Sequence, residues 1–191
     1  MKEFIIYWLI YLPLLLFGQQ RYEVAVKKEL VIESKKIALK QIGVLERGEN
    51  RGKEIDTYNQ TIGNPLGASY CQAGQYYCYY IAYQNLKLEV KNHPVPRNGL
   101  ANSTFDYAKK IGKKSKKYYA RENDFIIWKE IDSYFGHIER IYKVGKAGWV
   151  ETIGFNVSQN GKEGVFICKR NIKFPLTRIK KIRGIVGVVY E

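Results

Sequence analysis

Residues 67–78, GASYCQAGQYYC, run from a loop of small residues into an aromatic helix, with Cys71 at the junction. A thiol at a helix N-terminus faces unpaired backbone N–H groups and the positive end of the helix macrodipole, and both favour thiolate over thiol. Cys71 is therefore the candidate nucleophile of this chain. The alternative is a buried cysteine that only packs. A base and an orienting group elsewhere in the sequence would favour catalysis.

The helix that follows Cys71 is predicted over residues 70–86, and it carries aromatic residues on nearly every face. A helix of this kind is expected to be central and buried. Residues 19–34 are predicted to form an extended N-terminal arm. Periodicity and the candidate caps Ser34 and Ser103 predict three further helices, over residues 34–48, 53–62 and 103–111.

The character of the sequence changes to β after Asp124. Short apolar or alternating segments separated by glycine-bearing turns are typical of an antiparallel meander, and they cover residues 125–128, 137–144, 149–153, 165–168 and 182–190. Helices followed by strands predict an α+β domain. We expect the Cys71 helix to pack on a C-terminal antiparallel sheet of about five to six strands.

The N-terminus carries an almost uninterrupted apolar run over residues 4–17, behind Lys2. The run is shorter than the roughly 20 residues that a bilayer-spanning helix needs. Residues 1–18 are therefore interpreted as a signal peptide, followed by the arm of residues 19–34 and one domain over residues 35–191. The protein is then exported, with no stable membrane span after cleavage, and an uncleaved anchor is the alternative.

An exported protein meets oxidising conditions, which favour disulfides. Each of the three cysteines is therefore either in a disulfide or a free thiol. Cys71 and Cys78 lie seven residues apart on one predicted helix, about 10 Å along its axis, and cannot bond to each other. Cys78 and Cys168 either form a disulfide or are small buried hydrophobic residues. Cys71 is the thiol with a reason to be reactive.

The chain has a formal net charge of +14, from 32 Lys and Arg against 18 Asp and Glu, which indicates an anionic partner. Nucleic acid, an acidic membrane surface and a cell-wall polymer all qualify. Six lysines crowd into residues 109–117, but Tyr118 and Tyr119 only flank this run, so nucleic acid is the weaker candidate. Two separated histidines and no paired cysteine spacing predict no metal site, and no cofactor is expected.

Of the two histidines, His93 precedes a proline in a polar loop and is predicted to lie at the surface. His137 opens an alternating strand directly after Gly136. Asn156 follows 19 residues later, just beyond the next strand. If these strands pair as a hairpin, His137 and Asn156 share one edge of the sheet. Asn156 would then accept a hydrogen bond from one imidazole nitrogen while the other nitrogen faces Cys71, as in cysteine hydrolases.

These motifs carry a resemblance to a known family. The order Gly67-x-x-x-Cys71, Gly136-His137-Ile138 and Val150-Glu151-Thr152-Ile153-x-x-Asn156 resembles the CHAP domain, a papain-like, NlpC/P60-related peptidoglycan hydrolase. The resemblance covers about residues 36–190, including the segments 43–58 and 123–128. It implies a papain-like fold and an N-acetylmuramoyl-L-alanine amidase or peptidoglycan endopeptidase. Cys71, His137 and Asn156 would be catalytic, and peptidoglycan or another anionic wall polymer would be the partner.

One departure from the family bears on activity. The family commonly has Glu-x-Asn at its third motif, and here the Glu position is Gly154, so Asn156 would have to orient His137 unaided. This departure motivates the alternative of a catalytically degenerate CHAP-fold module that binds wall or a protein. Tyr70 and Trp149 are candidate substrate-binding residues, with core packing as the alternative for both. The sequence identifies no protein inhibitor.

Overall fold

The computed structural model describes residues 19–90 and 93–191 of the chain. The predicted signal peptide, residues 1–18, lies outside the described residues. The described chain is α+β, and its elements in order are β1 (Gln20–Val26), α1 (Lys28–Lys40), α2 (Lys53–Ile62), α3 (Cys71–Leu86), α4 (Ala101–Ile111), β2 (Lys113–Lys114), β3 (Phe125–Glu130), β4 (Gly136–Val144), β5 (Trp149–Gln159), β6 (Lys162–Asn171) and β7 (Lys180–Tyr190).

The seven strands form one mixed sheet in the order β2-β1-β7-β3-β4-β5-β6. The five C-terminal strands pair antiparallel, as predicted, but only β3 to β6 form a meander, because β7 pairs with β3 and not with β6. β1 pairs with β7 in parallel. The expected sheet of five to six antiparallel strands is therefore a seven-stranded mixed sheet. The difference arises because β1 and the two-residue β2 join its edge.

The N-terminal part of the described chain differs from the predicted arm. β1 lies in the sheet with Tyr22, Val24 and Val26 in the core, and α1 begins at Lys28. The prediction that Ser34 caps this helix is wrong. Ser34 is buried inside α1, where its hydroxyl donates to the carbonyl oxygen of Val31 at 3.0 Å.

The four helices of the described residues pack on one face of the sheet, and their inward side chains form the main core. Helix α3 is central, as predicted, and it approaches β5 closely at Gly74. A Cβ atom at Gly74 would lie 2.0 Å from the ring of Phe155, so only glycine permits this contact. The close approach brings the N-terminus of α3 against the middle of the sheet.

The opposite face of the sheet carries a smaller apolar cluster built from Ile126, Trp128, Ile141, Val150, Ile172 and Ile185. The six lysines of residues 109–117 are exposed, at the end of α4 and along the edge strand β2. Lysines on an edge strand discourage pairing with other chains. Within residues 19–90 and 93–191, every helix is too short or too polar to cross a membrane.

Candidate active site

Cys71 is the first residue of α3 and is buried. The backbone N–H groups of a first helical turn have no acceptor within the helix, so the Cys71 sulfur lies where negative charge is stabilised. The Ser69 hydroxyl is 4.0 Å from the sulfur. Gly67, with φ of +83°, lets the preceding loop turn into the helix.

The sheet opens next to Cys71 because β4 and β5 separate there. The two strands pair as far as Glu139 opposite Gly154, and beyond that point β5 pairs with β6 only. The N-terminus of α3 meets the sheet at this opening. The backbone N–H of Ile138 lies beside the Cys71 sulfur at this opening and contributes to the lowered pKa of the thiol.

His137 lies close enough to Cys71 for each side chain to shift the pKa of the other, so the structure brings together the predicted nucleophile and base. His137 is buried as the second residue of β4. Gly136 before it leaves room for the first turn of α4, because a Cβ atom there would lie 2.6 Å from the amide nitrogen of Asn102.

The residue that orients His137 is Glu139. The Nε2 atom of His137 lies 3.0 Å from the Oε1 atom of Glu139, and Nδ1 is therefore the ring nitrogen that faces the thiol. Glu139 is fully buried, and it also accepts hydrogen bonds from the Arg170 guanidinium and the Thr152 hydroxyl. A carboxylate with three donors is firmly placed behind the imidazole.

Cys71, His137 and Glu139 shift one another's pKa values in directions that favour an ionised, nucleophilic thiol. Burial opposes ionisation of all three side chains, but the mutual hydrogen bonds and charges outweigh it. The pKa of Cys71 is lowered by His137, with smaller contributions from Ser69 and the Ile138 N–H. The pKa of His137 rises to about 9 beside Cys71 and Glu139, and that of Glu139 falls to about 2 beside His137 and Arg170. These shifts favour a thiolate–imidazolium pair at neutral pH.

Asn156 does not occupy the position expected for it. Its side chain accepts from the Ser69 hydroxyl at 2.5 Å and donates to the Asn50 side chain at 2.7 Å. No hydrogen bond joins it to His137 in the described part of the chain. The physical reason is a bulge in β5 between Phe155 and Val157, which places Asn156 in a left-handed conformation with φ of +57°. Asn156 therefore braces the loop before Cys71.

Sequence reasoning missed Glu139, although a signal for it was present. Alternate residues of a strand point to the same face of a sheet, so Glu139 lies on the same face as His137, two positions earlier. A carboxylate at that spacing can reach the histidine without any long-range pairing. The expected hairpin pointed instead to Asn156, on the neighbouring strand.

A cavity of about 270 Å³ lies beside Cys71. It is formed by the loop before α3, the start of α4 and the turn before β4, and Cys71 is the one ionisable side chain that lines it. Phe135, 64% exposed, stands at its rim. The remaining lining residues are small, apolar or uncharged polar ones: Asn64, Pro65, Ala68, Ser69, Gly99, Leu100, Ala101 and Gly136.

The two candidate substrate-binding residues lie elsewhere. Tyr70 is fully buried, where its hydroxyl donates to Glu46 at 3.0 Å and its ring packs against Tyr58. Trp149 is 44% exposed but stands at the far end of β5, about 17 Å along the strand from Gly154. The Lys169 ammonium lies over its ring. Neither residue lines the cavity beside Cys71.

The other histidine, His93, is buried, so the prediction that it lies at the surface is wrong. Its ring stacks on Tyr76 with centroids 4.3 Å apart, and the Val95 N–H donates to its Nδ1 atom. Burial lowers the pKa of His93 to about 3, so the ring stays neutral. His93 is buried because its ring packs against aromatic side chains, although the sequence of its loop is polar.

Cys78 and Cys168 are free thiols, not a disulfide. Burial raises the pKa of Cys78 to about 12 and that of Cys168 to about 11, which leaves Cys71 as the acidic thiol.

In the described residues, no group of three or more His, Cys, Asp and Glu side chains is arranged to hold a metal ion. The geometry at Cys71 is that of a nucleophile, a base and an orienting carboxylate.

Comparisons with protein families, with curated proteins and with solved structures found no match to this chain.

Proposed function

We propose that this protein is an exported cysteine hydrolase with a papain-like fold that cleaves an amide bond of peptidoglycan. The observation that carries the hydrolase proposal is the placement of His137 beside Cys71 at the N-terminus of α3, with Glu139 hydrogen-bonded to His137. The choice of peptidoglycan rests on the resemblance of the motifs to the CHAP domain. The charge of +14 also favours an anionic wall polymer.

The mechanism follows from the positions of these side chains. His137 takes the thiol proton, and the Cys71 thiolate attacks the amide carbonyl carbon. The Cys71 backbone N–H, free at the start of α3, stabilises the oxyanion that develops. Collapse of the tetrahedral intermediate breaks the C–N bond as His137 gives its proton to the leaving amine. Water then hydrolyses the thioester, with His137 as the base, and restores the thiol.

Glu139 has a positioning role in this mechanism. It fixes the ring of His137 with Nδ1 toward the thiol and stabilises the imidazolium that forms when Cys71 loses its proton. The alternative of a degenerate binding module rests on the missing carboxylate at Gly154 and on the extra lysines of the chain. The buried carboxylate of Glu139 on β4 answers the first point, and the activity test decides between the two functions.

The test uses purified peptidoglycan and four proteins: the wild type, Cys71→Ala, His137→Ala and Cys168→Ala. We expect the wild type and Cys168→Ala to clear the wall suspension, because the Cys168 thiol has a pKa raised to about 11 and does not line the cavity beside Cys71. Cys71→Ala and His137→Ala should lose clearing while keeping their circular dichroism spectra. Mass spectrometry of the released fragments distinguishes amidase from endopeptidase products. Full clearing by either site variant, or none by the wild type, contradicts the proposal.

Export is tested separately, because it depends on residues 1–18. The full chain is produced in a bacterial host, the cell is fractionated, and the N-terminus of the protein is sequenced. A signal peptide predicts a periplasmic or secreted protein that begins at Gln19, after the small residue Gly18. An uncleaved chain in the membrane fraction would instead support an anchor.

A further inference from the structure

We propose that Arg170 is a positioning residue, which holds Glu139 ionised and aligned on His137 and thereby maintains the Cys71 thiolate. The inference rests on the proposed cysteine chemistry. Arg170 belongs to β6, while Glu139 belongs to β4, and β5 lies between these strands. The arginine therefore reaches across a whole strand to contact a residue of the candidate site.

The contact between the two side chains is a bidentate ion pair. The Nη2 atom of Arg170 lies 2.7 Å from Oε1 of Glu139, and its Nε atom lies 3.0 Å from Oε2. Two parallel hydrogen bonds fix the plane of the carboxylate as well as its position. Because the same Oε1 atom meets Nε2 of His137, the guanidinium determines where the imidazole finds its acceptor.

The charges along this series alternate when the thiol is ionised. Cys71 is negative, His137 positive, Glu139 negative and Arg170 positive, so the ionised group is neutral as a whole. Without the guanidinium the same group would bury a net negative charge, which is costly in a low-dielectric site. Loss of Arg170 should therefore make the Cys71 thiol harder to ionise.

The position of Arg170 makes this inference accessible to mutation. Its side chain is 25% exposed while that of Glu139 is fully buried, so the outer part of the arginine meets solvent. It lies beside Trp149 and Phe174, on the side of the sheet away from the Cys71 cavity. Substitution there leaves the lining of that cavity unchanged.

The experiment measures alkylation of Cys71 by iodoacetamide between pH 4 and pH 10 in the wild type, Arg170→Gln and Arg170→Lys. Mass spectrometry of the Cys71 peptide keeps Cys78 and Cys168 out of the measurement. In Arg170→Gln we expect the acidic limb to move up by about one pH unit, so that alkylation is about tenfold slower at pH values below both limbs. Arg170→Lys keeps the charge but loses the bidentate geometry. Its acidic limb should therefore lie between those of the wild type and Arg170→Gln.

The matched control is Lys169→Gln, which removes one positive charge from the adjacent residue of β6. The Lys169 ammonium lies over the Trp149 ring, and we expect no shift of the alkylation limb in this variant. An Arg170→Gln limb that coincides with the wild type overturns the proposal. If Arg170→Gln does not fold, Arg170→Lys decides, and a limb identical to the wild type overturns the inference. Failure to clear peptidoglycan would contradict the proposed function while the alkylation profiles still test Arg170.

Discussion

Glu139 and Gly154 face each other across the β4–β5 pair, and the carboxylate of Glu139 fills the space that a side chain at position 154 would need. A Cβ atom at Gly154 would lie 3.2 Å from the carboxyl carbon of Glu139 and 2.8 Å from a methyl carbon of Val157. The site therefore has room for one carboxylate. The proposed resemblance to the CHAP domain expects a Glu at position 154; this chain has glycine there, and the carboxylate beside His137 comes from Glu139 on the opposite strand.

This relationship predicts that the carboxylate can be exchanged between the two strands. Glu139→Gly should reduce kcat/KM about 100-fold, because His137 loses its orienting acceptor. Gly154→Glu should also be impaired, since two carboxylates would crowd one site. The double variant Glu139→Gly/Gly154→Glu should be at least about tenfold more active than either single variant. A double variant no better than the worse single variant would show that position 154 cannot take over the role.

The pH dependence of kcat/KM is predicted to be bell-shaped. The lowered pKa of Cys71 places the acidic limb below the ordinary thiol range, and activity rises as the thiolate forms. The pKa of His137, raised to about 9, places the basic limb near pH 9, above which the imidazolium loses its proton. Glu139→Gln should move the basic limb to lower pH, because a neutral amide stabilises the imidazolium less. A basic limb unaffected by Glu139→Gln would contradict the assigned role.

Asn156 is predicted to affect stability and loop position without setting the protonation of His137. Asn156→Gly and Asn156→Ala both remove the contact with Ser69, so both should lower kcat/KM modestly and leave the basic limb near pH 9. Asn156→Ala should be about 1 kcal/mol less stable than Asn156→Gly, because alanine is strained at a φ of +57°. Urea denaturation and the pH profile measure the two effects. A shifted basic limb in both variants would return Asn156 to the role that the sequence suggested.

His93 makes a further prediction, on stability alone. Its pKa is about 3 in the folded protein and about 6.5 when unfolded, so below pH 6.5 the unfolded chain binds a proton that the folded chain does not. Stability must therefore fall as the pH falls from 6.5 toward 3. The expected loss between pH 7 and pH 5 from this residue is about 2 kcal/mol.

The variant that isolates this effect is His93→Phe, which keeps an aromatic ring against Tyr76 and removes the titrating group. Urea denaturation at pH 7 and pH 5 should show a smaller loss of stability in the variant than in the wild type. Carboxylates that titrate in the same range contribute equally to both proteins. Equal losses in the two proteins would show that His93 is protonated within the fold.

The sequence predicted several features that depend on local signals, although α1 spans Lys28–Lys40 and not the predicted residues 34–48. Helix α2 has the predicted bounds, and α3 and α4 lie within two residues of theirs, because glycine, proline and periodicity act within a few residues. The pairing of Cys71 with His137 followed from the scarcity of histidines. The predictions were wrong or incomplete for features that depend on partners far away in the sequence. β1 has its partner at the other end of the chain, and the bulge at Asn156 cannot be read from alternation.

The parallel pairing of β1 with β7 joins segments that are far apart in the sequence. β7 lies between β1 and β3, so the β1 edge of the sheet forms only when this distant pair forms. Pairing between distant segments is slow, because a long loop must close before any contact stabilises it. The β4–β5 and β5–β6 hairpins close shorter loops and are expected to form earlier. The strands that carry Glu139 and Arg170 belong to these hairpins, so the carboxylate and the guanidinium can meet before β1 joins the sheet.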